Sequence, residues 1–161
     1  MKGLIIVILT VIGIIILSAC TEKGGEEGIL AEPSRLSDNL PNNYSSQEVS
    51  FVISTNSEPV KAPARDLFLE ITNTGAQPIE YEPGVFYEKM VDGNWHRVLD
   101  DNNSVYADIL YVIPSGETDK LNLPLENFEH RFSEGTYRII KTFEVSDKEK
   151  VTLSVQFIVE G

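Results

Sequence analysis

The residues of this 161-residue chain that could carry chemistry are few and scattered. There is one thiol, Cys20, and there are two imidazoles, His96 and His130, in separate segments and at no metal-ligand spacing. A zinc site needs three or four convergent nitrogen or sulfur ligands, so neither histidine is assigned to a metal, and both are expected as plain surface or half-buried side chains. Asp100-Asp101-Asn102-Asn103 offers oxygens suited to calcium, but it lacks the alternating ligand spacing and closing bidentate glutamate of a calcium loop and reads as a solvated turn. Glu80 with Glu82, and Glu126 with Glu129, are carboxylate pairs of the kind that divide acid and base roles in sugar cleavage. That work requires a cleft deep enough to raise one of the two pKa values. No phosphate-binding loop, nucleophile elbow or His-Glu-x-x-His helix occurs. The expectation is a non-enzyme with no catalytic residue, cofactor or metal. The aromatic residues Tyr87, Trp95 and Tyr106, on or near one hairpin, are the candidate recognition patch; core packing, above all for Tyr87, is the competing fate.

Cys20 is the exception to this sparseness because of what precedes it. Lys2 is followed by a 14-residue apolar run, Leu4 to Leu17, and then by the small residues Ser18 and Ala19. A positive end, an apolar stretch of about 7–15 residues and small residues before the cut describe an export signal, whereas a stable span needs about 20 apolar residues. An uncleaved anchor, with the run extended to Cys20, is the alternative. Leu17-Ser18-Ala19-Cys20 resembles the lipobox of bacterial lipoproteins. That resemblance implies cleavage of residues 1–19, lipidation of the Cys20 thiol with acyl chains such as palmitate, and a location on the extracytoplasmic face of the cell membrane. One acyl chain binds a membrane only reversibly; two or three hold firmly. With its thiol committed, the mature chain has no cysteine for a disulfide.

Lys2 is the only charged residue of the leader, so its removal takes the formal net charge from −12 to −13. Such a surface does not neutralise phosphates and is repelled by an anionic leaflet, which excludes nucleic acid as a partner and confines membrane contact to the lipid. Residues 20–46, with Gly24-Gly25, Gly28, Pro33, Pro41 and Asn42-Asn43, show no sustained apolar period and read as a flexible tether with a reach of about 28 Å. Ile29 to Leu36 has the length for a single helical turn but carries no convincing cap.

From residue 47 to 161 the period is two. Phe51 to Ser54 opens the domain. Leu67, Leu69 and Ile71 alternate with polar neighbours, as do Ile79 and Tyr81, and Val151, Leu153, Val155, Phe157 and Val159 share one face. Asp92-Gly93 between two apolar segments is a hairpin signal, because a type I′ turn needs positive φ at both positions. Val105 to Ile113 forms a largely apolar strand, and Pro124 places the Leu121, Leu123, Leu125 strand at a sheet edge. The fold class is all-β: an antiparallel sandwich of seven to nine strands, which the resemblance given next narrows to the immunoglobulin-like kind.

Gly135-Thr136-Tyr137-Arg138-Ile139 is similar to the tyrosine corner of immunoglobulin-like domains, in which a phenol bonds back to nearby backbone. Trp95, just after a tight hairpin, is not placed as the core tryptophan of antibody domains. Together with Ile71-Thr72-Asn73-Thr74-Gly75, Pro114-Ser115-Gly116-Glu117-Thr118 and Phe157-Ile158-Val159, the chain over about 50–160 resembles the bacterial immunoglobulin-like domain of Bacillus-type lipoproteins. The resemblance implies a cell-surface interaction module with a protein or cell-wall partner and carries over no site residue. The layout around the glycine-tyrosine-arginine strand is also similar to the intracellular proteinase inhibitors of Bacillus. This leaves inhibition of an extracytoplasmic protease as the second functional expectation.

Overall fold

The computed structural model describes residues 30–99, 109–128, 130–146 and 149–161. Twelve strands occur there: β1 Leu30–Pro33, β2 Asn43–Ser45, β3 Ser50–Thr55, β4 Val60–Lys61, β5 Asp66–Asn73, β6 Ile79–Tyr81, β7 Phe86–Val91, β8 Asn94–Val98, β9 Tyr111–Ile113, β10 Thr118–Pro124, β11 Gly135–Ser146 and β12 Glu149–Glu160. A 3-10 turn, Leu125–Asn127, is the sole helical element among the described residues. The all-β class is as expected; the strand number exceeds seven to nine because short strands form in places with no clear alternation.

Three sheets result, ordered β1-β8-β7-β11-β12-β4, β10-β5-β3-β2 and β6-β9. The first two face each other across one core, to which Ile53, Leu67, Leu69, Ile71, Tyr137, Ile139, Leu153 and Phe157 contribute buried side chains. Burial of each such side chain contributes about 1.5–3 kcal/mol. The alternation in β5 and β12 therefore sets the register: shifting either strand by one residue would turn its whole apolar set to solvent. The β7–β8 turn has φ +49° at Asp92 and +81° at Gly93, as the Asp-Gly pair requires. Pro124 does lie on an edge strand, β10.

The tyrosine corner is formed. Tyr137 is fully buried, and its hydroxyl donates to the Ser133 carbonyl at 3.0 Å. Burial raises its pKa, opposed by the bonds at Ser133 and the nearby Lys89 amine. Tyr137→Phe keeps the packing and loses this bond. An unfolding free energy lower by about 1–1.5 kcal/mol is expected, read as a lower urea midpoint at unchanged slope.

The tether assigned to 20–46 does not extend through its second half, nor does a helical turn form there. β1 pairs antiparallel with β8, and β2 with β3. Between them the chain crosses the outer face of the six-stranded sheet as a strap. Ser34 N–H donates to the Trp95 carbonyl, Ser154 N–H to the Pro41 carbonyl and Ile53 N–H to the Asn42 carbonyl. Beneath the strap lies Arg138, 0% exposed. Its Nε donates to Glu88 Oε2 at 2.7 Å, its Nη2 is 2.6 Å from the same oxygen, and its Nη1 donates to the Ser37 and Asp38 carbonyls at 2.9 and 3.2 Å. A guanidinium removed from water needs acceptors; the strap backbone supplies two of them to Nη1, while Nη2 has only its ion-pair contact with Glu88.

Candidate functional site

Two of the sequence motifs interlock to position the two-stranded β6–β9 sheet. Asn73, at the end of β5, is fully buried; its Nδ2 donates to the Gln77 carbonyl at 2.8 Å and to the Ile113 carbonyl at 3.0 Å, while its Oδ1 accepts from Gly75 N–H. Its backbone exchanges bonds with Gly116 and Glu117, and the Ser115 hydroxyl donates to the Gly75 carbonyl. Asn73-Thr74-Gly75 and Pro114-Ser115-Gly116 are thereby one clamp. It fixes β9 beside β6, with Ile79 opposite Ile113, Glu80 opposite Val112 and Tyr81 opposite Tyr111.

The inward members of this pair, Ile79, Tyr81 and Ile113, join the core. Glu80 and Val112, the pair facing the other way, do not. Ile109 and Leu110, which lead into β9, and Tyr111 and Val112 in it are 47%, 56%, 37% and 56% exposed. Tyr111 stacks on Tyr81 with ring centroids 5.4 Å apart. The Tyr81 hydroxyl donates to Asp119, and burial together with that carboxylate raises the phenol pKa.

Beside β6 a groove of about 510 Å3 opens toward the end of β11. Tyr81, Phe143, Val145 and Leu110 supply its apolar lining, and Glu80, Glu82 and Glu144 its acidic one. A smaller cavity of about 190 Å3 adjoins it through Glu80, Phe143, Glu144 and Val145. Glu144 is paired with Lys150 at the surface. Lys141 lies under the groove, almost fully buried, with Nζ donating to the Glu82 and Gly84 carbonyls and standing 5.1 Å from the centroid of Tyr81 and 5.3 Å from that of Phe143. Desolvation brings its pKa down to about 8, against a smaller opposing pull from Glu82. The combined space is of the size that holds a side chain or small ligand. Glu80 and Glu82 are both exposed, so nothing in their burial prepares either as a general acid.

Two of the three aromatic residues expected as a recognition patch, Tyr87 and Trp95, are buried rather than exposed. Tyr87 is 2% exposed and packs edge-on against Phe128 and Phe132 at 5.0 and 5.3 Å. Trp95 is 3% exposed because the Arg138 guanidinium covers its ring at 4.5 Å under the strap. It lies outside the main core cluster, in keeping with its separation from the antibody core tryptophan. Tyr106, Cys20 and the leader, Asp100-Asp101-Asn102-Asn103 and Glu129 lie outside the described residues. His96 is half-buried, with Nδ1 3.0 Å from the Ala31 carbonyl. His130, expected at or near the surface, is instead 2% exposed, set edge-on to Phe132 and 3.5 Å from the Tyr137 hydroxyl. Among the described residues no group of three or more histidine, cysteine or acidic side chains is placed to hold a metal, and no helix is long and apolar enough to cross a membrane.

The two-sheet sandwich, its tyrosine corner and the clamp coincide with a family model described as Bacterial Ig-like domain, which matches residues 47–158. The chain belongs to that family. The bacterial Ig-like domain thus starts after β2, and the strap with β1 and β2 precedes the matched region. Among curated proteins there is no match. Among solved structures the bacterial Ig-like domain is similar to part of a beta-glucosidase from Listeria innocua in complex with glucose, at 18% identity and TM-score 0.38, covering 73% of this chain and 17% of that one. It is also similar to part of a beta-glucosidase from Erythrobacter marinus, at 12% identity and TM-score 0.38, covering 70% and 16%. The chain spans about a sixth of the length of these enzymes.

Tyr81, Leu110, Tyr111 and Val112 carry the site and were not singled out by residue type. The signal was present in the largely apolar run Val105 to Ile113, of which 109–113 are described, and in the Glu80 and Glu82 alternation opposite it.

Proposed function

We propose that this protein is a non-catalytic interaction module, displayed outside the cell from a lipid on Cys20 and contacting a protein or wall partner through its surface. One observation carries the interaction role: the run of four exposed apolar residues, Ile109 to Val112, leading into and along β9 of a bacterial Ig-like domain. An apolar run of this kind costs solubility unless something covers it. The groove beside it mixes Glu80, Glu82 and Glu144 with Lys150 and apolar side chains, and these charges keep the patch from extending further as bare apolar surface. The anchoring part of the proposal is supported by Lys2, the 14-residue apolar run and Ser18-Ala19-Cys20.

Both parts are tested in intact cells. A photo-crosslinking residue is placed in turn at Val112, at Phe86 on the opposite sheet face and at Ile158, all three exposed. A reproducible adduct from at least one position, together with a membrane-fraction protein whose N-terminal residue is an acylated Cys20 by mass spectrometry, is the expected result. The interaction role fails if all three positions stay silent in repeated experiments, and the lipid anchor fails if the membrane-fraction protein carries an unmodified Cys20 thiol.

A further inference from the structure

A cavity of about 380 Å3 lies between the start of the strap and the outer face of the six-stranded sheet. Ser34, Arg35 and Leu36 of the strap form one wall, and Phe86, Arg97 and Ile140 of the sheet form the other. Its volume is in the range of sites that hold small molecules. Two large apolar side chains left exposed by the fold meet here, Leu36 at 42% and Phe86 at 47%. Ile140, beside them, is buried. The Ser34 hydroxyl accepts from Leu36 N–H at 3.1 Å, which leaves its own proton to donate.

The charges that line the cavity select its occupant. Lys120, Arg138 and Lys150 are ion-paired with Glu70, Glu88 and Glu144. Arg35 and Arg97 have no ion pair among the described residues, although the chain carries 25 acidic side chains against 13 basic ones, and both line this one space. The Arg97 guanidinium lies over the Phe86 ring at 4.0 Å from its centroid, so its face is held while the N–H donors along its edge stay available to a ligand. Two carboxylates also line the cavity, Glu32 and Glu88. Glu88 is committed to Arg138, and Glu32 is exposed. Two guanidinia against one uncommitted carboxylate favour a ligand with a single negative charge, whereas a doubly charged phosphate would be repelled by Glu32. A planar carboxylate also matches the fork of donors that arginine presents.

We infer that this cavity binds an apolar monocarboxylate about the size of one amino-acid residue, its carboxylate bridging Arg35 of the strap and Arg97 of β8 and its apolar body lying against Leu36, Phe86 and Ile140. Such a ligand joins the strap to the sheet at a further point, next to the bonds that Arg138 donates to the Ser37 and Asp38 carbonyls. Binding and strap order are then coupled. The site is separate from the β9 surface and goes beyond the interaction role proposed above.

The probe is N-acetylphenylalanine, titrated by isothermal calorimetry into the full-length chain in a neutral detergent. N-acetylphenylalaninamide, which lacks the charge, and phenyl phosphate, which is doubly charged, are the comparisons. Saturable binding of the acid is expected with a dissociation constant on the order of 1 mM, with weaker binding of the phosphate and none of the amide. Amide exchange at Ser34 and Leu36 should slow when the acid is bound. Arg35→Gln and Arg97→Gln should each weaken binding about fivefold to tenfold. Lys61→Gln, on β4 at the opposite edge of the same sheet, should leave it unchanged. All three positions are exposed, so the variants should fold; far-ultraviolet circular dichroism checks that. The tripeptide Ala-Ala-Phe distinguishes the sources of the carboxylate: tighter binding than the acid assigns the ligand to a peptide end, and weaker binding assigns it to a free acid. No saturation by about 20 mM acid, equal binding of the amide, tighter binding of phenyl phosphate, or full affinity in either arginine variant overturns the inference. None of these outcomes bears on crosslinking at Val112, so the interaction role stands or falls separately.

Discussion

Arg138→Met is expected to lower the unfolding free energy by about 3–5 kcal/mol, the cost of leaving one member of a buried ion pair without its partner. Glu88 is 3% exposed and would keep its carboxylate in a space whose compensating cation has gone. The strap would suffer as well, because the Ser37 and Asp38 carbonyls accept from the same guanidinium. Faster amide exchange and earlier proteolysis at 34–39 should therefore accompany the loss of stability. The single tryptophan, Trp95, reports the same event: with the guanidinium gone and the strap loosened, its emission should move to longer wavelength in the native state. Replacing both residues, as Arg138→Met with Glu88→Leu, should cost clearly less than the two single changes summed, since neither charge is then stranded. Urea unfolding of the four proteins measures this cycle. Single variants within about 1 kcal/mol of the parent, or strict additivity, would show that the pair does not anchor the strap.

The strap was the part of the fold hidden from the sequence, and its construction explains why. Residues 34–42 are held almost entirely through backbone groups, Ser34 and Pro41 to the sheet and Ser37 and Asp38 to Arg138, so their side chains follow no period and read as a tether. Arg138 itself sits at an outward position of β11, where alternation assigns it to solvent; only the strap makes that face an interior. Trp95 and Ile140 are buried by the same cover. In contrast, β5, β12 and the Asp92-Gly93 hairpin were legible because one face of each strand meets the core and one turn geometry demands positive φ. The tyrosine corner was legible from a local motif whose bond spans only four residues. At the site, Glu80, Tyr81 and the apolar run ending at Ile113 were visible as strands. Their partnership was not, because it depends on Asn73 reaching 40 residues ahead to the Ile113 carbonyl.

Lys141 gives the sandwich a stability that rises with pH over a range where carboxylates no longer titrate. Its folded pKa is about 8 against an ordinary value of 10.5, so between these values the unfolded chain binds more protons than the folded one. Stability then increases with pH. Below pH 8 both states are protonated and the penalty for burying the ammonium is fully present, on the order of 3 kcal/mol. Raising the pH from 7.5 to 9.5 should recover about 2 kcal/mol of it. Two phenols set the upper limit. Tyr81 and Tyr137 are pushed above their ordinary value of 10 by burial, so beyond about pH 10 the unfolded chain loses protons first and stability falls again. The expected profile is a maximum near pH 10. Lys141→Met removes the titrating amine while keeping an unbranched apolar stem against Tyr81 and Phe143, and should flatten the rise between 7.5 and 9.5 while leaving the fall above 10 in place. Urea unfolding at half-unit pH steps compares the two proteins. An equal rise in Lys141→Met would assign the effect elsewhere, whereas its loss would assign it to the buried amine that the Glu82 and Gly84 carbonyls accept from.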